Sequence, residues 1–224
     1  MTAPPPYPRT PYLWRDDGVK TNLVPSAERA GWLTRPVVVE EKLDGANVSL
    51  WWESGAVRVA SRGGEDARDR AGQLGRLRGW AAEHHLALAT LLANGRAAYG
   101  EWLWLTHTVE YDRLPDWLVV LDLWTPDAGM LPLEIRDQAV ADAGLVVPPG
   151  LVEGVVGTRH ALIALMGTSR FGNQPMEGVV LRRPDGARCK VVRPGFDRKR
   201  NAEWIGQPTH NRLRLLGRPH APSP

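Results

Sequence analysis

Residues 38–47 read VVEEKLDGAN, and this stretch decides how the chain folds around its most distinctive side chain. An apolar run ends in two glutamates, and Lys42 follows them directly before Leu43 and the Asp44–Gly45 dipeptide. Apolar β-branched residues followed by Asp-Gly predict a strand that ends in a tight turn. Lys42 therefore lies at a strand end, where it is either a solvated side chain or a nucleophile held in a polar pocket.

The basic residues of the chain are almost all arginines. Of 28 basic residues only four are lysines, which are Lys20, Lys42, Lys190 and Lys199. Arginine stays protonated under ordinary conditions, whereas lysine can lose its proton and attack an electrophile. A position that keeps lysine in this chain is therefore a candidate nucleophile, and a chance distribution of four lysines is the alternative.

Length and composition are those of a soluble globular protein of one large or two small domains. The 224 residues are 43% apolar and 24% charged, and the net charge is +3. A single cysteine, Cys189, excludes a disulfide framework and a cysteine-built zinc site. No apolar run approaches the ~18 residues that span a membrane, and residues 1–10 lack the pattern of a secretory signal. The sequence therefore predicts a cytoplasmic protein that binds no membrane.

Short strand-like segments and three helical segments alternate irregularly along the chain. We predict strands at 36–41, 46–52, 56–61, 97–104, 117–124, 178–183 and 187–193. Leucine and tryptophan spacing predicts helices at about 71–93, 133–143 and 158–166. Without a steady strand–helix–strand alternation, this order favours an α+β domain with antiparallel sheets over a doubly wound parallel sheet. The proline-rich start predicts an extended arm.

Several common catalytic patterns are absent from the sequence. There is no Gly-Lys dipeptide and hence no P-loop, and no GxGxxG follows a strand. Neither HExxH nor GxSxG occurs. The chain therefore lacks the usual signatures of P-loop enzymes, dinucleotide-binding domains, zincins and α/β-hydrolases.

An ordered series of short polar motifs lies instead at the predicted strand ends. These motifs are EKLDG at 41–45, SRGG at 61–64, GE at 100–101, VVLDLW at 119–124, EGVVLR at 177–182 and CKVVR at 189–193. One amine, two carboxylates and several fixed cations suit a polyphosphate and a divalent metal, because Mg²⁺ usually takes one or two carboxylates plus substrate phosphates. The product expected from such a site is a phosphoramidate that links Lys42 to a nucleoside monophosphate, with pyrophosphate leaving.

The order and content of these motifs resemble the covalent nucleotidyltransferases, which comprise DNA ligases, RNA ligases and mRNA capping enzymes. The resemblance runs from about Tyr7 to Phe196, and it is strongest to RNA ligases through Asn47, the compact SRGG and the leader YPRTPYLWRDDG. It implies an α+β adenylyltransferase domain with two antiparallel β-sheets flanked by helices and a nucleotide between the sheets.

The resemblance also implies which residues bind and transfer the nucleotide. Lys42 would be the nucleophile that accepts AMP from ATP. Arg62 would contact the AMP phosphate and the RNA end, and Lys190 would contact the α-phosphate. Related enzymes have two lysines in the last motif, and here Arg188 or Arg193 would supply the second charge. Among these, Lys42, Lys190 and Arg62 are the predicted catalytic residues, and Arg193 is a predicted nucleotide-binding residue.

The remaining polar residues would position the base, the ribose and the metal. Glu41 would lie against the adenine, Glu101 would bind the ribose, and Glu177 would help to place Mg²⁺ or Mn²⁺. Asp44 and Asn47 would shape the nucleotide pocket near the lysine.

The sequence departs from the family at the residue that stacks on adenine. In related enzymes this residue is often an aromatic on the strand that carries Asp122. At the corresponding positions this chain has Val119 and Leu121. Trp102 or Trp124 would have to substitute.

The resemblance implies an ATP-dependent RNA ligase that transfers AMP to an RNA 5′-phosphate and seals it to a 3′-hydroxyl. We divide the chain into a nucleotidyltransferase domain at 1–196 and a basic extension at 197–224, too short for the OB fold that DNA ligases and capping enzymes carry. The extension would hold RNA phosphates or form a solvated surface. The alternatives are a DNA ligase, a GTP-dependent guanylyltransferase and a non-catalytic nucleic-acid-binding module. The expected partners are RNA ends and a protein that heals them.

Overall fold

The architecture consists of two antiparallel sheets with helices packed against them. The computed structural model describes residues 3–15, 21–62, 72–196 and 208–214. Within these ranges the strands are β1 (Val37–Lys42), β2 (Ala46–Glu53), β3 (Ala56–Ser61), β4 (Ala97–Trp102), β5 (Leu118–Thr125), β6 (Gly129–Met130), β7 (Gly150–Gly154), β8 (Gly178–Arg182) and β9 (Arg188–Val192). The strands predicted from the sequence are confirmed to within two residues, and β6 and β7 are additional.

The strands form one four-stranded and one five-stranded sheet. The first sheet has the order β7–β1–β8–β9, and the second has the order β3–β2–β4–β5–β6. All strand pairs are antiparallel, and both sheets are open within the described residues. The expected α+β fold with two antiparallel sheets is confirmed. In β1, Lys42 lies opposite Gly178 of β8, so the start of β8 is next to the lysine.

The helices are short. They are α1 (Ser26–Arg29), α2 (Gly31–Thr34), α3 (Gln73–Glu83), α4 (His85–Leu91), α5 (Leu133–Asp142) and α6 (Arg159–Ala164). The single helix predicted at about 71–93 is wrong in its continuity, because the backbone leaves the helical region at His84 (φ −104°, ψ 24°). None of the helices in the described ranges is long and apolar enough to cross a membrane.

Each sheet has its own hydrophobic core. Helices α3 and α4 pack on the second sheet through a cluster that includes Leu77, Trp80 and Leu91. A separate cluster beneath the first sheet includes Leu13 and Val179. Apolar side chains thus cover one face of each sheet, and several polar side chains of the strands line the space between the sheets.

A buried group of charges joins the two sheets. Arg182 of β8 donates to Asp122 of β5 at 2.7 Å and to Glu40 of β1 at 2.6 Å, and Arg136 of α5 donates to Glu40 at 2.6 Å. We call Glu40, Asp122, Arg136 and Arg182 the inter-sheet ion cluster; each is no more than 5% exposed. Both arginines also donate to the carbonyl of Leu121, at 3.0 Å each. Because these charges pair with one another, Arg182 holds the sheets together and is not a free phosphate-binding cation.

Candidate active site

A polar cavity of about 320 Å³ lies between the two sheets. Strands β1, β8 and β9 of the first sheet and β2, β4 and β5 of the second contribute to its wall. Its volume is in the range of small-molecule sites. Six of the residues predicted from the sequence line this cavity, which are Glu41, Lys42, Asn47, Arg62, Glu101 and Lys190.

Lys42 projects from the end of β1 and is held by a buried carboxylate. Its Nζ lies 2.7 Å from Oε2 of Glu177 and 3.2 Å from the carbonyl oxygen of Leu43. The side chain of Lys42 is 15% exposed and that of Glu177 is 0% exposed. Gly178 is required beside this pair, because a Cβ there would lie 2.1 Å from the carbonyl oxygen of Val191. The amine is therefore oriented by Glu177 and still reachable from the cavity.

Glu41 points away from Lys42, as strand alternation requires. Its Oε1 accepts a hydrogen bond from the Ser169 hydroxyl at 2.6 Å, and its Oε2 accepts one from the backbone N–H of Arg170 at 2.9 Å. Burial raises the pKa of Glu41, and these two hydrogen bonds oppose the rise. Both carboxylate oxygens are thus engaged by the protein, and the contact of Glu41 with adenine stays a prediction.

Glu101 supports the turn that follows Lys42. Its Oε1 accepts a hydrogen bond from the backbone N–H of Gly45 at 3.0 Å. A side chain at Gly45 would place Cβ 2.6 Å from the carbonyl oxygen of Trp102, so the turn lies directly on β4. Loss of hydration raises the pKa of Glu101, the positive charge of Lys42 opposes the rise, and the negative charge of Glu177 adds to it. Lys42, Glu101 and Glu177 therefore form one electrostatic group.

Asp44 holds a loop rather than facing the cavity. Its buried Oδ2 accepts hydrogen bonds from the N–H groups of Thr108 at 2.7 Å and Val109 at 3.0 Å. Its own N–H donates to the hydroxyl of Tyr111 at 2.8 Å. Asn47 lines the cavity and donates from Nδ2 to the carbonyl of Gly100 at 3.3 Å.

The predicted cations occupy different places. Lys190 and Arg62 line the cavity, and Arg62 is exposed at the end of β3. Arg193 lies outside it, donating from Nε to the carbonyl of Met176 at 2.9 Å. Arg188 is bound to Asp122 at 3.3 Å. Neither Arg188 nor Arg193 thus lines the cavity beside Lys190, and the nucleotide-binding role of Arg193 stays a prediction.

The structure does not place either proposed substitute for the adenine-stacking aromatic at the cavity. Trp102 is fully buried in the core, with its ring 6.0 Å from that of Trp80. Trp124 packs on a separate cluster of the second sheet. Leu121 does line the cavity, and the aromatic rings that line it are Tyr7 and Tyr12.

Sequence reasoning missed two groups of cavity residues. One is Glu40, which strand alternation could have identified because it lies two residues before Lys42 on the same face of β1. The other is the N-terminal segment, residues 3–15, from which Tyr7, Arg9 and Arg15 reach the cavity wall. The leader motif YPRTPYLWRDDG marks this segment in the sequence. The motif does not indicate which strand the segment lies beside.

Most of the predicted C-terminal extension lies outside the described residues, as do Gly63 and Gly64 of the SRGG motif. The described part, 208–214, pairs with the loop after β4. Nδ2 of Asn211 donates to the carbonyl of Leu103 at 2.7 Å, and the backbone N–H of Arg214 donates to the carbonyl of Leu114 at 2.7 Å. The division of the chain at residue 196 stays a prediction.

Comparison with known proteins identifies a family and a shared fold. A family model described as RNA ligase matches residues 35–195. The chain belongs to the RNA ligase family. The match begins just before β1 and ends just after β9, so it contains both sheets and the part of the cavity wall that the strands form. Comparison with curated protein sequences gives no significant match.

Solved structures of an RNA ligase from Naegleria gruberi share the fold. An apo mutant has a TM-score of 0.57 at 18% identity, over 83% of this chain and 55% of that one. A mutant with ATP and Mn gives the same values, and a mutant with AMP and Mn has a TM-score of 0.55 at 18% identity over the same shares. This chain thus spans about half the length of the RNA ligases it matches.

Proposed function

We propose that the chain is an ATP-dependent RNA ligase in which Lys42 forms a covalent bond to AMP. The observation that carries the proposal is the position of the Lys42 amine, held by Glu177 at the wall of a cavity that Lys190 and Arg62 also line. Membership of the RNA ligase family and the shared fold with an RNA ligase solved with ATP and Mn support it.

In the first step the amine of Lys42 gives up its ammonium proton to solvent and attacks the α-phosphorus of ATP, and the attacking nitrogen loses a second proton to solvent as the phosphoramidate forms. A P–N bond forms, the bond to the β-phosphate oxygen breaks, and pyrophosphate leaves. Lys190 and Arg62 stabilise the charge on the phosphate oxygens, because fixed cations in an enclosed site are most effective where charge develops. Glu101, whose Oε1 accepts a hydrogen bond from the Gly45 N–H, would bind the ribose.

In the later steps an oxygen of the RNA 5′-phosphate attacks the lysine-bound phosphorus, which releases Lys42 and leaves AMP on the RNA. The 3′-hydroxyl of the second end then attacks the 5′-phosphorus, a phosphodiester bond forms and AMP leaves. The protein contributes alignment of the two ends and exclusion of water.

The residues present fit a divalent metal of the Mg²⁺ or Mn²⁺ type. Among the described residues there is no cluster of three or more metal-binding side chains. Mg²⁺ does not need one, since it binds one or two carboxylates together with substrate phosphates. Glu177 would be the protein ligand, with Glu101 close enough to sense its charge. Such a metal would neutralise phosphate oxygens of the nucleotide.

Labelling with nucleotide tests the proposal. Purified protein is incubated with Mg²⁺ and ATP labelled at the α-phosphate, denatured, and assayed for label on the polypeptide, with labelled GTP in parallel. We expect acid-labile label from ATP alone. Lys42→Arg is the decisive variant, because it keeps a positive charge for Glu177 but cannot act as the nucleophile; Lys42→Ala accompanies it.

Three outcomes are informative. Label in Lys42→Arg would contradict the assignment of the nucleophile. Label from GTP alone would indicate capping-type chemistry. No label, together with an intact mass that shows no preformed AMP adduct on folded protein, would reject the proposal. Nicked and single-stranded RNA and DNA with 5′-phosphates then identify the nucleic acid that receives AMP.

A further inference from the structure

The N-terminal segment, residues 3–15, lies beside β9 and forms an isolated parallel bridge with it between Tyr12 and Lys190. The N–H of Leu13 donates to the carbonyl of Lys190 at 2.9 Å, and the N–H of Lys190 donates to the carbonyl of Pro11 at 2.9 Å. The N–H of Tyr12 donates on the other side to the carbonyl of Asn22 at 2.8 Å. The backbone of Tyr12 is therefore fixed directly beside that of Lys190.

Side chains anchor the same segment at both ends. Tyr7 is buried, and its hydroxyl donates to Asp122 of the inter-sheet ion cluster. The ring of Tyr7 lies 4.8 Å from that of Tyr99, and the guanidinium of Arg188 lies 4.4 Å from its centroid. Leu13 is 0% exposed in the core. The segment is thus an integral part of the fold where it borders the cavity.

Two cationic side chains, Lys190 and Arg15, lie against the ring of Tyr12. Nζ of Lys190 lies 4.2 Å from the ring centroid, and the guanidinium carbon of Arg15 lies 4.3 Å from it. A cation within about 6 Å of an aromatic centroid is attracted by the ring quadrupole. Tyr12, Arg15 and Lys190 all line the cavity that contains Lys42. One ring therefore keeps two positive charges at the cavity wall.

Arg62 and Arg182, which also line the cavity, are placed differently from Lys190 and Arg15. Arg182 is neutralised within the inter-sheet ion cluster, and Arg62 lies at the end of β3 in the opposite sheet. Along β9, the neighbours on the same face as Lys190 are Arg188, which is bound to Asp122 at 3.3 Å, and the apolar Val192. A second cation beside Lys190 therefore comes from the N-terminal segment.

Building on the proposed nucleotide chemistry, we propose that Tyr12 is a positioning residue that holds Lys190 and Arg15 as a pair of phosphate-binding cations. Arg15 and Lys190 contact the phosphates of the incoming ATP, and Tyr12 acts through them. The N-terminal segment is therefore part of the nucleotide site of this chain.

The test measures ATP binding without chemistry, by titration calorimetry of the full chain in EDTA, and the rate of ATP labelling with Mg²⁺. The variants are Tyr12→Phe, Tyr12→Leu and Arg15→Gln. The matched control is Arg159→Gln, because Arg159 lies 4.7 Å from the ring of the neighbouring Trp14 and neither of them lines the cavity.

We expect Tyr12→Phe, which keeps the ring, and Arg159→Gln to bind ATP within about twofold of wild type. Tyr12→Leu and Arg15→Gln should weaken ATP binding about tenfold, the usual scale for a lost charge-assisted contact. Transfer of preformed lysine-bound AMP to RNA should change much less in Arg15→Gln. Thermal unfolding checks that each variant is folded.

Equal loss of ATP binding in Arg159→Gln would show that the whole segment matters rather than the pair, and would overturn the inference. So would unchanged ATP binding in Arg15→Gln, or a defect confined to the sealing of preadenylylated RNA. If wild type binds ATP but takes no label, the proposed function fails, while the binding data still decide the role of Tyr12. Absence of ATP binding by wild type would reject both.

Discussion

Nζ of Lys42 lies 2.7 Å from Oε2 of Glu177, and this ion pair joins the end of β1 to the start of β8 across adjacent strands. The side chain of Glu177 is fully buried, whereas that of Lys42, which lines the cavity, is 15% exposed. Glu177 therefore depends on Lys42 for its counter-charge, and Lys42 depends on Glu177 for its orientation. The ion pair between Lys42 and Glu177 therefore serves both the stability of the fold and the proposed chemistry of Lys42.

The Lys42–Glu177 pair should show strong coupling in stability. Lys42→Met removes the ammonium group that pairs with the buried carboxylate of Glu177, and breaking a buried ion pair in this way typically costs about 3–5 kcal/mol. Glu177→Gln in the same chain removes that charge and should restore most of the loss. Denaturant unfolding of wild type, both single variants and the double variant measures the coupling. Additive effects of the two substitutions would show that the pair contributes nothing to the folded state.

Gly45 should tolerate no side chain. In Gly45→Ala the new Cβ would lie 2.6 Å from both the carbonyl oxygen of Trp102 and Cδ2 of Leu103, and overpacking of this kind costs about 1–3 kcal/mol. The shift also disturbs the hydrogen bond to Glu101, so we expect slower labelling by ATP. Gly79→Ala is the control with the opposite sign, because its Cβ meets nothing within 4 Å and alanine favours helix α3 by up to about 1 kcal/mol. Equal stability of Gly45→Ala and wild type would contradict the close packing of this turn.

The strands and the position of Lys42 could be predicted because their signals are local. Apolar runs bounded by turn residues identify β1, β2, β8 and β9, and short-range spacing places Lys42 and Glu177 at strand ends. β7 was missed because it is an edge strand, with mostly exposed side chains between prolines and glycines, so it has no apolar pattern. The break between α3 and α4 at His84 has neither Pro nor Gly to mark it.

The parts of the site that could not be predicted depend on contacts between distant residues. The leader motif predicts an extended segment, but its partners Lys190 and Asp122 lie more than a hundred residues away along the chain. Arg182 belongs to the EGVVLR motif, and its charge alone is compatible with one of the fixed cations that would suit a polyphosphate. Only the structure shows that Glu40 and Asp122 already bind it.

Glu101 should make stability depend on pH. Its pKa is raised above the ordinary value near 4.5, mainly by loss of hydration, so the folded protein binds this proton more tightly than the unfolded chain does. Its contribution is fully present below pH 4.5 and is lost as the pH rises through the raised pKa. Glu101→Gln keeps an acceptor for the Gly45 N–H but has no proton to lose.

The measurement for Glu101 is the difference in free energy of unfolding between Glu101→Gln and wild type, taken from pH 4 to pH 8. This difference should shift in favour of the variant as the pH rises above 4.5. Comparing the two proteins at each pH cancels the other titrating carboxylates. A difference that stays constant, or shifts in favour of wild type, would show that the pKa of Glu101 is not raised in the folded protein.

Asp122 should be the most sensitive member of the inter-sheet ion cluster. It accepts hydrogen bonds from Arg182, Arg188 and the hydroxyl of Tyr7, so it ties β5 to β8, β9 and the N-terminal segment at once. Asp122→Asn removes the carboxylate that pairs with Arg188 and one of the two that pair with Arg182, whose contact with Glu40 remains, and we expect a loss of about 3–5 kcal/mol.

The control for this substitution is Asp127→Asn in the exposed turn before β6, which should change stability by less than about 0.5 kcal/mol. Because the ordering of the N-terminal segment depends on Tyr7, amide hydrogen exchange in Asp122→Asn should increase at residues 12 and 13 before it increases in the core of the second sheet. Unchanged protection at Leu13 in a destabilised variant would mean that the backbone bonds to β9 hold the segment without Asp122. The inter-sheet ion cluster would then join the two sheets but not the segment that borders the nucleotide cavity.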